Sequence, residues 1–297
     1  MPSDFILDKR QVRNAFEKAA ISYDQSAVLQ REVSNRMFER LELIKYMPGR
    51  ILDAGCGTGY GSRKLAGRYP DSQLLAADIA VGMLQQSRLQ DEQQQGGGLR
   101  FWPFRKKSGM QYVCVDIEQL PFKDESIDMV WSNLTLQWCS DLERTFREIN
   151  RVLTTDGLLM FSTLGPDTLK ELRHAFAQVD QYAHVNRFID MHDIGDLLVH
   201  NRFATPVMDM EYITLTYDDV RSVMHDLKAI GAHTVVQGRH AGLTGKTKWQ
   251  KVIAYYEAMR TNGKLPATFE VVYGHAWKLP PKQTVVTPEI RRQILME

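Results

Sequence analysis

The sequence predicts an α/β fold, a doubly wound and mostly parallel sheet with extra helices at its N-terminus and a helical insertion before its last strand. Two observations predict it. Short apolar runs alternate with amphipathic stretches over residues 50–161, and the first run leads into Ile51-Leu52-Asp53-Ala54-Gly55-Cys56-Gly57-Thr58-Gly59-Tyr60-Gly61. Buried parallel strands read as unbroken apolar runs because helices cover both faces. A glycine-dense turn at the end of such a strand lies where open α/β sheets bind their ligands.

In chain order, Val12, Phe16 and Ala19-Ala20 recur at helical spacing and predict a short first helix. Residues 21–25 break that pattern and carry Tyr23 beside Asp24. Leu29, Val33, Met37, Leu41 and Ile44 form the apolar stripe of a second helix, stopped by Pro48-Gly49. Residues 1–48 thus read as an N-terminal helical cap, which either roofs a pocket or covers a sheet face.

The core, residues 49–164, has strand-like runs at 51–52, 74–77, 112–115, 129–131 and 158–161, with helical stretches at 60–68, 80–89 and 142–153. The last of these starts on acids, which suit the positive end of a helix dipole. Residues 91–110 are glutamine- and glycine-rich and predict a surface loop, ending in the basic-aromatic run Arg100 to Lys107. In residues 165–265 the alternation lapses. Helices are expected at 167–179, 191–200, 218–230 and 248–259, one strand at 207–217, and a basic glycine-bearing loop at 238–248. That region reads as a helical lid or substrate region interrupting the sheet. Residues 266–297 supply a last strand at 269–277 and a loose tail, so the chain forms one structural domain overall.

The composition excludes several classes. In 297 residues, 37 Lys and Arg balance 36 Asp and Glu, so no global field favours nucleic acid or membrane. Residues 1–10 lack a basic n-region and apolar core, and no window has the length of a membrane span. Cys56, Cys114 and Cys139 follow no metal-ligand spacing and read as buried thiols of a cytoplasmic protein. No self-complementary apolar patch is evident, so a monomer is the default.

The glycines decide the cofactor. The dinucleotide fingerprint Gly-x-Gly-x-x-Gly fails from Gly55, Gly57 and Gly59, where its third glycine falls on Tyr60, Ser62 and Lys64. A phosphate-binding P-loop fails as well, so the turn is not built for a pyrophosphate. The remaining pattern, Asp-x-Gly-x-Gly-x-Gly, resembles motif I of the class I S-adenosylmethionine-dependent methyltransferases.

That resemblance implies a Rossmann-like, seven-stranded sheet and S-adenosyl-L-methionine as cofactor, with S-adenosyl-L-homocysteine as product. It implies that Gly55, Cys56, Gly57 and Gly59 pack against the methionyl and ribose parts, with Asp53 orienting the ammonium. Asp78 would accept the ribose hydroxyls, Ile79 and Met83 would sandwich the adenine, and Asp116-Ile117 would meet the adenine amine. Asn133 would face the methionine arm.

Segments outside the core carry a narrower resemblance. Residues 16–24, 132–139, 161–164 and 184–188, together with 227–232 and the basic loop that follows to Lys246, are similar to the malonyl-acyl-carrier-protein O-methyltransferases of biotin synthesis. The 91–110 insertion departs from that pattern. This family implies methylation of the free carboxylate of malonyl-acyl carrier protein, or of malonyl-CoA, giving a methyl ester primer. On that basis Arg187 is expected to clamp the carboxylate, Tyr23 to close the site and His184 to assist. Arg239, Lys246, Lys248 and Lys251 would meet an acidic carrier. Alternatives are a methyltransferase for another small carboxylic acid or a quinone precursor, and a non-catalytic cofactor-binding module.

Overall fold

The computed structural model describes residues 7–96, 110–182, 184–229 and 245–280. The expected basic-aromatic run at 100–107, most of the basic loop including Arg239, and the tail beyond residue 280 lie outside the described residues.

Among the described residues three helices precede the sheet: α1 (Lys9–Ala19), the single turn α2 (Tyr23–Ser26) and α3 (Val28–Glu42). Asp8 starts α1 by accepting the backbone N–H groups of Arg10 and Gln11, which have no partner inside the helix. A helical turn at Tyr23 corrects the expected break at 21–25. The core then alternates β1 (Arg50–Ala54), α4 (Tyr60–Arg68), β2 (Gln73–Asp78), α5 (Val81–Gly96), β3 (Gln111–Cys114), β4 (Ile127–Ser132), α6 (Leu142–Val152) and β5 (Leu153–Leu164). After it come α7 (Lys170–Ala177), α8 (Met191–His200), β6 (Phe203–Tyr217), α9 (Val220–Ala229), α10 (Lys246–Glu257) and β7 (Leu265–Lys278).

Among the described residues the sheet has seven strands in the order β3-β2-β1-β4-β5-β7-β6. The pairs from β3 through β5 are parallel, and β7 lies antiparallel to both β5 and β6. The chain winds outward from β1 through β2 to β3, then returns to β4 on the other side of β1. The carboxyl ends of β1 and β4 thus flank a topological switch point, where open α/β sheets hold ligands.

Alternate residues of each strand face opposite layers. Ile51, Met129, Trp131, Leu158 and Met160 pack under α3, α4, α7, α9 and α10, with Met37 and Leu65 fully covered. Leu52, Val130, Leu159 and Phe161 pack under α6 and α8, where Phe146 and Leu198 are also fully covered. Each such side chain contributes roughly 1.5–3 kcal/mol on leaving water, so the two layers clamp the strand ends that carry the site. No helix among the described residues is long and apolar enough to cross a membrane.

Some boundaries differ from expectation. The expected loop begins later than residue 91, because α5 continues through the glutamine run to Gly96. Gln and Glu are good helix formers, and Arg88 pairs with Glu92 one turn on at 2.9 Å. Strand β5 begins directly after α6, and β6 and β7 pair over most of their lengths.

Candidate functional site

The glycine turn sets the geometry. Gly55 leaves β1 at φ +85°, and its N–H and that of Cys56 both donate to the Ala77 carbonyl on β2. A Cβ on Gly55 would stand 2.1 Å from Thr135 Oγ1, so the loop after β4 presses against the turn. Gly57 also has positive φ, but a Cβ there would meet only Tyr23 Cε1 at 3.9 Å. Its open face looks into a cleft. Gly59 is packed instead against Ser87, starts α4, and lines none of the cavities described below.

Three acids stand at successive strand ends. Asp53, the last residue but one of β1, is buried and accepts the Ser62 hydroxyl; burial pushes its carboxyl up to about 7, and neighbouring Asp78 adds to the shift. Asp78, ending β2, accepts Gly57 N–H at 2.9 Å and Ala80 N–H at 2.8 Å. Burial raises it to about 6, against the lowering effect of those two bonds. Asp116, just beyond β3, accepts Lys9 Nζ at 3.1 Å and Glu118 N–H at 3.0 Å through one oxygen, Oδ1.

These groups line one cleft with two compartments that share Tyr23, Gly55, Gly57 and Asn133. The first has about 600 Å³ of open space and holds Asp78, Ile79, Met83, Asp116 and Ile117. The second has about 460 Å³ and holds Asp53 and Cys56, whose thiol burial raises far above its ordinary range. All the expected cofactor residues except Gly59 therefore converge. Asn133 is fixed at both ends, since its side chain donates to Gln30 O at 3.0 Å and accepts Ser162 Oγ at 2.9 Å.

Several lining residues were not anticipated. Lys9, Val12 and Phe16 come from α1, and Trp138 packs edge-on to Phe16 at 5.3 Å. Gln30 and Arg31 come from α3. The apolar spacing of α1 announced a helix, but nothing in the sequence separates Lys9 or Arg31 from solvated surface cations. In and beside the second compartment, Gln30 Oε1, Ser34 Oγ and Trp131 Nε1 are buried without a hydrogen-bond partner. A charged, multiply hydrogen-bonding ligand arm would suit such a pocket.

The expected acceptor residues divide. Tyr23 sits over the turn in both compartments; burial, with Asp78 and Asp24, holds its phenol protonated above its ordinary value. Arg187 lines a separate cavity of about 510 Å³, walled by Leu136, Gln137, Thr163, Asn186 and Phe188, which shares Cys139 with the first compartment. The structure does not bring His184 into these cavities. Its ring stacks on Phe176 at 3.8 Å and bonds Asp180 at 2.8 Å, next to the Asn186-Arg187 segment.

The donor set fits S-adenosylmethionine. The first compartment pairs acids with apolar walls that would suit ribose and adenine, and the second holds Asp53 and Arg31, opposite charges that would suit a zwitterion. The strand order with β7 alone reversed, the glycine turn and the acids at the strand ends define a class I methyltransferase. A family model described as a methyltransferase domain matches residues 52–161. The chain is 61% identical to the malonyl-[acyl-carrier protein] O-methyltransferase of Nitrosospira multiformis over 99% of this chain and 97% of that one. The relative of the same name from Gallionella capsiferriformans is 59% identical over 94% of each chain. In fold the chain is similar to the YcgJ protein of Bacillus subtilis, with TM-score 0.56 at 18% identity, covering 82% of this chain and 98% of that one. The chain belongs to the malonyl-[acyl-carrier protein] O-methyltransferase family.

Proposed function

We propose that this protein transfers a methyl group from S-adenosylmethionine to the free carboxylate of a malonyl thioester on acyl carrier protein, supplying a methyl ester primer for biotin synthesis. The observation that carries the reading is the meeting of two cavities at Cys139. One is the acid-bearing cleft beside the glycine turn, and the other is a mostly apolar chamber with Arg187 in its wall.

The chemistry asks little acid–base work of the protein. A carboxylate is already ionised at neutral pH and needs no base. When bound, S-adenosylmethionine would supply an electrophilic methyl on its sulfonium, the C–S bonding electrons staying on sulfur as the carboxylate oxygen takes the carbon. The chain's residues must position and desolvate the acceptor. Arg187 holds the carboxylate with two parallel N–H donors, a geometry Lys cannot reproduce. Tyr23, protonated, closes the cleft over the turn. His184 braces the Asn186-Arg187 segment through Phe176 and Asp180. Asp53 would face the cofactor's ammonium and Arg31 its carboxylate, while Asp78 and Asp116 would hold ribose and adenine.

In this reading residues 1–48 form the cap, 49–164 the cofactor-binding core and 165–265 the acceptor side. The protein works as a monomer in the cytoplasm, where the thiols stay reduced; Cys56 is buried as expected, but Cys139 is only half-buried and Cys114 is exposed on edge strand β3. Malonyl-CoA presents the same carboxylate and is a second acceptor.

Arg187 tests the reading. In Arg187→Lys, kcat/KM for malonyl-acyl carrier protein should fall on the order of a hundredfold, with S-adenosylmethionine affinity by calorimetry unchanged. Wild-type turnover in that variant would remove the clamp.

A further inference from the structure

The first residue of α1 reaches across the fold to a strand end. Lys9 Nζ lies 3.1 Å from Asp116 Oδ1 and 2.7 Å from Glu118 Oε1, and Lys9 lines the same compartment as Asp78 and Met83. Glu118 is itself pinned, because Oε1 also accepts the backbone N–H groups of Ser140 and Asp141. At the other end of α1, Glu17 accepts the Gly82 N–H at 3.0 and 3.1 Å through its two oxygens, fixing α1 to the first turn of α5. Between these ends Val12 and Phe16 pack with Leu7 and Trp138. The position of Lys9 is therefore set from four sides.

An exposed ion pair of this kind would contribute little to stability. Lys9 differs in that its side chain is only 25% exposed and serves two carboxylates. Burial works against its charge, and Cys139, Glu118 and Asp116 together more than offset it, holding the ammonium above its ordinary pKa. The consequence falls on Asp116. Its Oδ1 is saturated by Lys9 and the Glu118 N–H, and among the described residues Oδ2 accepts no hydrogen bond. A carboxylate fixed through one oxygen presents the other as a directed acceptor.

We propose that Lys9 is a positioning residue for the cofactor's base: by occupying Asp116 Oδ1 it leaves Oδ2 to accept the exocyclic amine of adenine, and so makes the site select adenine. The inference rests on the reading of the cleft as an S-adenosylmethionine site. It assigns α1 a part in cofactor specificity as well as in covering the sheet.

The test compares two ligands by calorimetry: S-adenosyl-L-homocysteine, and S-inosyl-L-homocysteine, in which an oxygen replaces the amine. Wild type should favour the adenosyl ligand by about tenfold or more, as expected when a half-buried charged acceptor loses its donor. In Lys9→Met that preference should shrink about tenfold, through loss of adenosyl affinity, and Lys9→Arg should restore most of it. A packing role for α1 would weaken both ligands equally. Equal weakening, or an undiminished preference in Lys9→Met, overturns the proposal, as does a wild type that binds both ligands alike. Should Lys9→Met fail to fold, Lys9→Leu, which likewise has no donor for Asp116 Oδ1, gives the same readout. A wild type that binds neither ligand would instead overturn the cofactor reading on which this rests.

Discussion

Asp53 and Asp78 are buried carboxyls against one glycine turn, held near 7 and 6 where an ordinary carboxylate sits near 4. Between those values the folded protein keeps protons that the unfolded chain has released. These two groups therefore favour folding at low pH, and that contribution is lost as pH rises from about 4 through 6 and 7. An ammonium brought beside Asp53 favours the charged carboxylate. Binding of S-adenosylmethionine should accordingly release protons near pH 6.5 and tighten from pH 5.5 to 7.5. Calorimetry in buffers of different ionisation enthalpy measures that release, and Asp53→Asn should abolish much of it. Proton uptake would contradict an ammonium at Asp53. At this scale the sequence was legible where chemistry and spacing coincide, as in Asp53, Asp78 and Asp116. Lys9 and Arg31 were not, because a lone cation on a helix becomes informative only when folding brings it to a distant strand end.

The glycine turn, as an element, separates two demands that its sequence presents as one motif. At Gly55 a side chain would collide with Thr135 at 2.1 Å, and at Gly57 it would enter open cleft. Gly55→Ala should therefore cost about 2–5 kcal/mol of stability from combined strain and overpacking, read as a lowered denaturation midpoint. Gly57→Ala should cost about 1–2 kcal/mol for its left-handed backbone, yet weaken S-adenosylmethionine disproportionately because the new methyl occupies the cleft. Equal loss of binding per unit of lost stability in the two variants would show that the turn has a single role. The core strands were legible because parallel strands buried on both faces are apolar throughout. Their ends were less so. The exposed faces of β6 mix polar and apolar residues, and α5 runs through glutamines that read equally as loop.

The order of strands could not be read along the chain, since the β5-β7-β6 arrangement depends on pairings between distant segments. That arrangement leaves β6 at one edge of the sheet. Helix α10 is anchored by buried Val252 and Tyr256 and turns Lys246, Lys248 and Lys251 to solvent. Its Trp249 lies 6.4 Å from Phe176, whose ring stacks on His184 beside the Asn186-Arg187 segment. A basic helix is thus tied by aromatic contacts to the wall of the Arg187 cavity, as docking of an acidic carrier would require. Lys248 already lies 4.0 Å from Asp180, so the test reverses only its neighbours. Lys246→Glu with Lys251→Glu should raise KM for malonyl-acyl carrier protein on the order of fivefold at low salt, mainly through slower association. The difference should fade toward molar salt, where the Debye length falls to about 3 Å. A malonyl thioester of N-acetylcysteamine lacks the carrier surface, and its KM should not move. A change shared by both acceptors would place those lysines in the acceptor cavity's support, and no change in either would leave the carrier to dock elsewhere.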